Sequence, residues 1–207
     1  DSPTGNIGIK ISDDTTSCVV DHTVVRSFSL SGIYVGKRSV VNVTNCFIND
    51  CQEHGMWLHF SNECEITHTE IEFCEHTGIY VDSLPVKITS CNIHNIAHNI
   101  RGYEGEGGFN HGIVFDYPHS MGKIGASAED KMWFKKYHQL SSREGHQIVD
   151  TISKRCKDAG IIVDPKCCAV HVTGCSIIGN EPGVWFMPER DTARGGEDDD
   201  ERRVSSR

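Results

Sequence analysis

Long apolar runs are missing from this chain of 207 residues. No segment approaches the roughly 18 consecutive apolar residues that a membrane helix needs, so a membrane-spanning protein is excluded. The N-terminal segment also lacks the basic head and apolar stretch of a signal peptide. Basic residues are scarce, because 20 Lys and Arg stand against 29 Asp and Glu, a net charge of −9. A nucleic-acid partner is therefore not expected, since it would require a basic surface.

Metal-binding motifs are also missing from the sequence. The 10 cysteines include no Cys-X-X-Cys pair, and the 12 histidines include no His-X-X-His or His-Glu-X-X-His motif. The sequence therefore predicts no metal site and no cofactor. Most histidines, among them His54 and His76, are expected to be scattered surface residues.

What the chain does contain is a repeat. A phrase of the form Gly-apolar-X-apolar begins at Gly8, Gly32, Gly55, Gly78, Gly112, Gly160 and Gly183. The steps between these glycines are 24, 23, 23, 34, 48 and 23 residues, so two repeats carry insertions. Two further apolar pairs follow the phrase within each repeat. This alternation predicts three short strands per repeat, and the 3.6-residue period of a helix is absent.

Three strands per repeat, stacked on their own copies, form a parallel β-helix. We predict an all-β fold of about seven coils over residues 6–188, with insertions at 99–110 and 117–147. An acidic tail at 189–207 is expected to be disordered. Sheet ends left exposed at both termini indicate further coils or domains of a longer chain, or capping partners.

Inward cysteines are expected to form a ladder of free thiols in the core, where Cys behaves as a small apolar residue. Cys51 and Cys74 occupy the same position in adjacent coils, and they are the one pair in that column that could form a disulfide.

On this repeat, the chain resembles the right-handed parallel β-helix superfamily, which includes pectate lyases, polygalacturonases and several glycoside hydrolase families. The phrase Asn-His-Gly-Ile at residues 110–113 resembles a Gly-His-Gly-Ile segment of polygalacturonases. The Asn-Ile-His at residues 92–94, followed by a Gly-rich loop, is similar to other β-helix glycosidases. The resemblance implies a glycoside hydrolase or a polysaccharide lyase. The Asn-Thr-Asp and Arg-Ile-Lys segments are absent, so the resemblance implies no single family.

The X residue of each phrase is expected to point outward, because its apolar neighbours point into the core. Three consecutive X residues are aromatic: Tyr34, Trp57 and Tyr80. At a strand spacing of about 4.8 Å, these rings would form a platform for the apolar faces of sugars. The alternative, given equal weight, is that the rings merely cover the sheet.

The next outward position carries Asp82, Asp116 and Asp164 on successive coils, with His59 on the coil before them. Like charges in register repel, so at least one carboxyl pKa is expected to rise and supply a proton donor beside an ionised partner. Paired carboxylates of this kind cleave glycosidic bonds. The alternatives are a set of oxygen ligands for Ca²⁺ and Asp residues that simply begin turns.

The two insertions adjoin the same strand, which runs from Gly112 to Asp116. The first insertion is Gly-rich and contains Glu104 and Glu106. Long loops in a compact repeat fold are usually functional. We therefore expect a cleft around Asp116, with His111 at its mouth.

The second insertion predicts a helix. Ser127 and Asp130 have the spacing of a capping box, and Trp133, Tyr137 and Leu140 fall on one apolar face.

We predict a carbohydrate-active domain that binds a polysaccharide or oligosaccharide through Tyr34, Trp57, Tyr80, His59, Glu104 and Glu106. Asp116 is the first choice for a catalytic carboxylate and Asp164 for its partner within the cluster that includes Asp82, and His111 assists proton transfer. The negative charge makes a neutral glycan the easier substrate, and Ca²⁺ would take part if the domain is a lyase. These features favour an extracellular enzyme.

The alternative is a non-catalytic β-helix that serves as a scaffold or protein-recognition module. The free thiols and the acidic tail favour it.

Overall fold

The computed structural model describes residues 6–97, 110–118, 126–141, 145–167, 169–180 and 182–186. Their strands form three parallel sheets. The first sheet has seven strands: β1 (Ile9–Ile11), β4 (Ile33–Val35), β7 (His54–His59), β10 (Thr77–Asp82), β13 (His111–Phe115), β16 (Ile161–Val163) and β19 (Val184–Phe186). The second has six: β2 (Cys18–Asp21), β5 (Val41–Thr44), β8 (Cys64–Thr67), β11 (Val86–Thr89), β14 (His146–Val149) and β17 (Val170–Thr173). The third has six: β3 (Val24–Phe28), β6 (Phe47–Cys51), β9 (Glu70–Glu72), β12 (Asn92–His94), β15 (Ile152–Lys154) and β18 (Ser176–Ile178).

The chain visits the three sheets in turn, so each repeat forms one coil and neighbouring strands in a sheet come from successive repeats. This arrangement confirms the predicted parallel β-helix of about seven coils. The described strands begin at Ile9 and end at Phe186. The predicted tail at 189–207 and nearly all of the first insertion lie outside the described residues.

Repeat phrases lie in register in the first sheet. Ile33 pairs with Met56, and Val35 pairs with Leu58. All four side chains are fully buried, because they point into the space between the three sheets. Stacked apolar residues from the first six coils thus form one continuous core.

Close packing between coils explains why each phrase begins with glycine. A Cβ on Gly78 would lie 2.6 Å from the carbonyl oxygen of Gly112 and 2.5 Å from Ile93 Cγ2. The same conflict with the next glycine carbonyl occurs at Gly8, Gly32, Gly55, Gly112 and Gly160. Only a residue without a side chain fits this corner of the coil.

Single residues in the left-handed region make the corners around the third sheet. One such position lies between the second and third sheets in every coil, at His22, Asn45, His68, Ser90, Asp150 and Gly174. Another lies at or beyond the end of the third-sheet strands, at Ser27, Asp50, Phe73, Asn95, Arg155 and Gly179. Asn, Asp and Gly tolerate this conformation best, which explains their frequency at these corners.

All nine described cysteines are free, and six of them are buried. The predicted thiol ladder is confirmed. Cys46 and Cys91 share a column with Thr69, and the backbone N–H of Cys46 donates to Thr69 Oγ1 at 3.5 Å. Cys51 and Cys74 are free thiols that donate to the carbonyl oxygens of Asn49 and Glu72, each at 3.7 Å, and they do not form a disulfide.

Helix α1 (Ala128–Ser141) follows the predicted capping pattern. Ser127 Oγ accepts a hydrogen bond from the backbone N–H of Asp130 at 3.0 Å, which satisfies one of the free N–H groups of the first turn. In a complete capping box the Asp130 side chain would accept from the backbone N–H of Ser127. Here the Asp130 carboxylate instead accepts from Arg38 Nη1 at 2.8 Å.

Candidate functional site

The outer face of the first sheet carries three columns of side chains that point away from the core. The first column precedes the repeat glycine and brings together His54, Thr77 and His111. The second column is the X position of the phrase, and the third follows the phrase. We call the central part of this surface, from β7 to β13, the outer-face site.

The X residues form the predicted column, because Tyr34 pairs with Trp57 and Trp57 pairs with Tyr80. Their rings contact each other edge to face, with centroids 5.4 Å apart for Tyr34–Trp57 and 6.1 Å apart for Trp57–Tyr80. They therefore do not lie side by side as one flat platform. Trp57 and Tyr80 are half-buried, which leaves part of each ring at the surface.

Tyr34 corrects the expectation of three exposed rings. Only 2% of its surface is exposed, because the Trp57 edge, the His59 ring and the Lys10 side chain surround it. Burial also raises the pKa of its hydroxyl to about 12. Trp57 and Tyr80 remain as the aromatic surface available to a ligand.

His54 belongs to this site, although the sequence predicts it to be a scattered surface residue. Its ring stacks on Tyr80 at 5.1 Å and meets the Trp57 ring edge-on at 5.7 Å. Its Nδ1 atom is buried without a hydrogen-bond partner. Burial, with a smaller contribution from His76, lowers the pKa of His54 to about 3, so the ring is neutral at neutral pH. Its place immediately before a repeat glycine, in the same column as His111, was the available signal.

The carboxylate column is also in register, because Asp82 pairs with His59 and the residues before Asp116 and Asp164 continue the same ladder. Asp82 Oδ1 accepts a hydrogen bond from Trp57 Nε1 at 3.3 Å, and Asp82 Oδ2 lies 3.1 Å from His59 Nδ1. The aromatic and acidic columns are thus joined by direct hydrogen bonds.

Asp116 accepts hydrogen bonds on both of its carboxyl oxygens. Its Oδ2 accepts a hydrogen bond from the Tyr80 hydroxyl, and its Oδ1 accepts from the backbone N–H of Tyr117 at 2.8 Å. Burial raises the pKa of Asp116, the negative charges of Asp164 and Asp82 add to the rise, and the two hydrogen bonds oppose it. Burial and the nearby carboxylates likewise raise the pKa of Tyr80.

Asp164 has a structural contact of its own. Its Oδ1 accepts the backbone N–H of Lys166 at 2.7 Å, and its carbonyl accepts the N–H of Cys167 at 2.9 Å. This is the geometry of an Asx-type turn, the alternative stated for these residues. The charge of Asp164 nevertheless acts on both Asp116 and Tyr80.

His111 lies at the start of β13 and is buried. Its Nδ1 accepts the backbone N–H of Ala159 at 3.1 Å, so a neutral ring carries its proton on Nε2. Burial lowers the pKa of His111, and the charge of Asp158 partly offsets this effect. His111 and Asp116 lie at opposite ends of β13, so the structure does not place His111 at the mouth of a cleft around Asp116. Its assignment to proton transfer stays a prediction.

Helix α1 packs beside the outer-face site, over the turns that follow the carboxylate column. Trp133 and Tyr137 are buried against Phe60 and Leu84, as the predicted apolar face requires. Tyr117, the neighbour of Asp116, lies within this cluster and hydrogen-bonds His138 Nε2 through its hydroxyl at 3.3 Å. The second insertion therefore walls the site next to Asp116.

The family model for the right handed beta helix region matches residues 8–193. The chain belongs to this family. Among solved structures it is similar to the periplasmic alginate epimerase AlgG, with a TM-score of 0.55 and 15% identity over 83% of this chain. The match covers 36% of the epimerase chain, so this chain spans about a third of that protein. No curated protein matches the sequence.

In this β-helix, Glu104 and Glu106 lie outside the described residues. Within the described part of the chain, no three His, Cys, Asp or Glu side chains are placed to hold a metal ion. No described helix is long and apolar enough to cross a membrane.

Proposed function

We propose that the domain is carbohydrate-active, and that it binds a polysaccharide across the outer-face site and cleaves it at Asp116. The observation that carries this proposal is the contact between Asp116 and the Tyr80 hydroxyl, next to Asp82 on the neighbouring strand. A partly buried carboxyl group with a raised pKa is suited to be a general acid.

Asp116 in its protonated form donates its proton to the glycosidic oxygen as the bond to the sugar carbon breaks. Asp82 is the second carboxylate, which either attacks that carbon or removes a proton from an attacking water. Adjacent strands lie about 4.8 Å apart, which suits the roughly 5 Å separation of a retaining pair. The hydrogen bonds of Asp82 to Trp57 and His59 join it to the aromatic surface, whereas Asp164 takes part in a turn, and this favours Asp82 over Asp164 in this role.

Sugar rings present apolar C–H faces that pack on aromatic side chains, and Trp57 and Tyr80 offer such surfaces beside the carboxylates. The partner is therefore a polysaccharide or oligosaccharide. Membership of the β-helix family and the fold shared with a polysaccharide-modifying periplasmic enzyme support this class of activity and a location outside the cytoplasm. If the reaction is β-elimination, a carboxylate or His111 would act as the base, and Ca²⁺ would assist.

A polysaccharide panel tests the proposal, with product formation followed both as new reducing ends and as unsaturated sugars. Asp116→Asn should lower turnover of the substrate found by at least about 100-fold, the usual contribution of a general acid. Asp150→Asn, which removes the same charge at a corner between the other two sheets, should leave turnover unchanged. Unchanged turnover in Asp116→Asn would contradict the proposed mechanism.

The second candidate is a non-catalytic recognition module. Large apolar side chains are exposed on the last described coil, with Trp185 at 43% and Phe186 at 69%. A domain that binds a protein through this coil, and neither binds nor cleaves any glycan of the panel, would favour this function.

A further inference from the structure

Among the described residues, no Lys or Arg forms an ion pair with the carboxylates of the outer-face site. Asp82 pairs only with His59, and no Lys or Arg among the described residues forms an ion pair with Asp116 or Asp164. His54 and His111 are neutral at neutral pH, because burial lowers the pKa of both rings. The described part of the site therefore presents negative charge without an ion pair to Lys or Arg.

Several described basic side chains near this face make other contacts, and Lys37 lies over the Phe60 ring, 5.7 Å from its centroid. Lys166 is exposed in the turn after Asp164, and its backbone N–H makes the contact with that carboxylate. Arg38 binds Asp14 and Asp130, and Lys136 binds Glu63. Lys10 is the only cation in the described part of the X column, and it lies over Tyr34 on β1, three strands away from Tyr80. The sequence of the first insertion contains one Arg and two Glu, so the insertion does not add net positive charge.

Substrate charge decides how such a surface binds. A polyuronate carries a carboxylate on every sugar, and like charges brought together at an interface weaken binding. An uncharged sugar instead offers hydroxyl groups that donate to carboxylate oxygens and C–H faces that pack on Trp57 and Tyr80. Hydroxyl donors suit the carboxylates of the site, and apolar faces suit its Trp57 and Tyr80 rings.

We propose that the substrate is an uncharged polysaccharide and that the Asp82–Asp116–Asp164 column excludes polyuronates. This inference rests on the proposed function and adds the substrate class to it. The geometry that carries it is the in-register carboxylate column beside two aromatic rings, without a Lys or Arg partner in the described chain.

The test measures binding of neutral polysaccharides (glucans, mannans, xylans and galactans) and of polyuronates (alginate and polygalacturonate), each with EDTA and with Ca²⁺. The wild-type protein should bind at least one neutral polysaccharide at least about tenfold more tightly than either polyuronate. The double variant Asp82→Asn/Asp116→Asn should gain polyuronate affinity, whereas Asp150→Asn should not. Raising the salt concentration should strengthen any residual polyuronate binding by the wild type, because salt screens repulsion. The salt measurement requires only the wild-type protein.

Two outcomes would overturn the inference in different ways. Polyuronate binding that depends on Trp57, exceeds neutral binding and weakens with salt would reject the substrate class while the proposed function stands. The absence of binding to every glycan in both classes would reject the proposed function, and the substrate class with it.

Discussion

At the scale of single residues, the groups around Asp116 decide how readily its carboxyl group ionises. The folded protein holds this carboxyl group partly away from water and beside two other carboxylates, so ionisation costs more in the folded state than in the unfolded chain. The stability that the protonated form contributes is complete below the ordinary pKa of 3.8 and is lost as pH rises through the higher folded-state pKa.

Asp116→Asn should therefore become more stable relative to the wild type as pH rises from about 4 to 7. Asn keeps an acceptor for the Tyr80 hydroxyl but has no proton to lose. Urea unfolding at several pH values measures the difference. Asp150→Asn serves as the control for the loss of one carboxylate. A fall in the stability of Asp116→Asn relative to the wild type as pH rises would contradict a raised pKa.

The pKa shift of His54 changes stability with pH in the opposite direction. Its folded-state pKa is lowered to about 3 from an ordinary value of 6.5, so the unfolded chain takes up a proton first as pH falls. The wild type should lose stability between about pH 6.5 and 3 through this group. His54→Phe keeps a ring against Tyr80 and should lose less, which unfolding at pH 7 and pH 5 would show. Replacement of the exposed His171 by Phe is the matched control.

Residue positions in the outer-face columns were predictable from the sequence, because alternation in a strand decides which side chains point outward. The burial of Tyr34 and the packing of His54 against Tyr80 were not. Both depend on how side chains from neighbouring coils fill the surface, and spacing along the chain does not contain that information. The Asp164 turn was foreseen only as an alternative.

At the scale of elements, helix α1 shows how local signals position the wall of the site. The Ser127 hydroxyl satisfies a first-turn N–H, while Trp133 and Tyr137 anchor the helix to Phe60 and Leu84. The anchors decide where the helix lies, and the cap stabilises its first turn.

Ser127→Ala should lower the free energy of unfolding by about 1 kcal/mol, because the N–H of Asp130 loses its acceptor. Chemical denaturation followed by tryptophan fluorescence measures the change, since Trp133 lies in this helix. Ser17→Ala, at an exposed serine outside the helix, should stay within about 0.5 kcal/mol of the wild type. Equal effects of the two substitutions would show that the cap does not stabilise the folded protein.

The sequence predicted both the cap and the apolar face of α1, because each depends on residues three or four positions apart in one segment. The partner of Asp130 was not predictable in this way. Arg38 lies 92 residues earlier and reaches the helix only because the coils stack.

At the scale of the whole molecule, the repeat glycine decides how closely coils approach. Gly78→Ala should destabilise the protein by about 1–3 kcal/mol, because its Cβ would lie 2.6 Å from the Gly112 carbonyl oxygen. Gly183→Ala makes the same change in the last described coil, where the nearest atom is Ile177 Cγ2 at 3.5 Å, and should have little effect. Thermal unfolding of the two variants compares their stability. Equal losses of stability would show that close contact between coils does not explain the repeat glycine.

The repeat made the fold predictable, since seven copies of one pattern average out the ambiguity of any single short strand. It also placed the cysteines in the core and Asp82, Asp116 and Asp164 in one column. The left-handed conformations at the corners were harder to predict from the sequence, because residues as different as Phe73 and Arg155 adopt them there. Neighbouring coils hold these residues in place, whatever their intrinsic preference.

Glycan binding by the outer-face site is the central claim, and a glycan array probed with the wild type and Trp57→Ala tests it most directly. Trp57→Phe, which keeps a ring but loses the hydrogen bond to Asp82, and Met132→Ala, at a residue that is 73% exposed on the helix, are the matched controls. We expect the wild type and Met132→Ala to bind the same glycans, Trp57→Phe to bind them more weakly, and Trp57→Ala to lose them while remaining folded. Binding that survives in a folded Trp57→Ala, or no binding by the wild type, would contradict the claim.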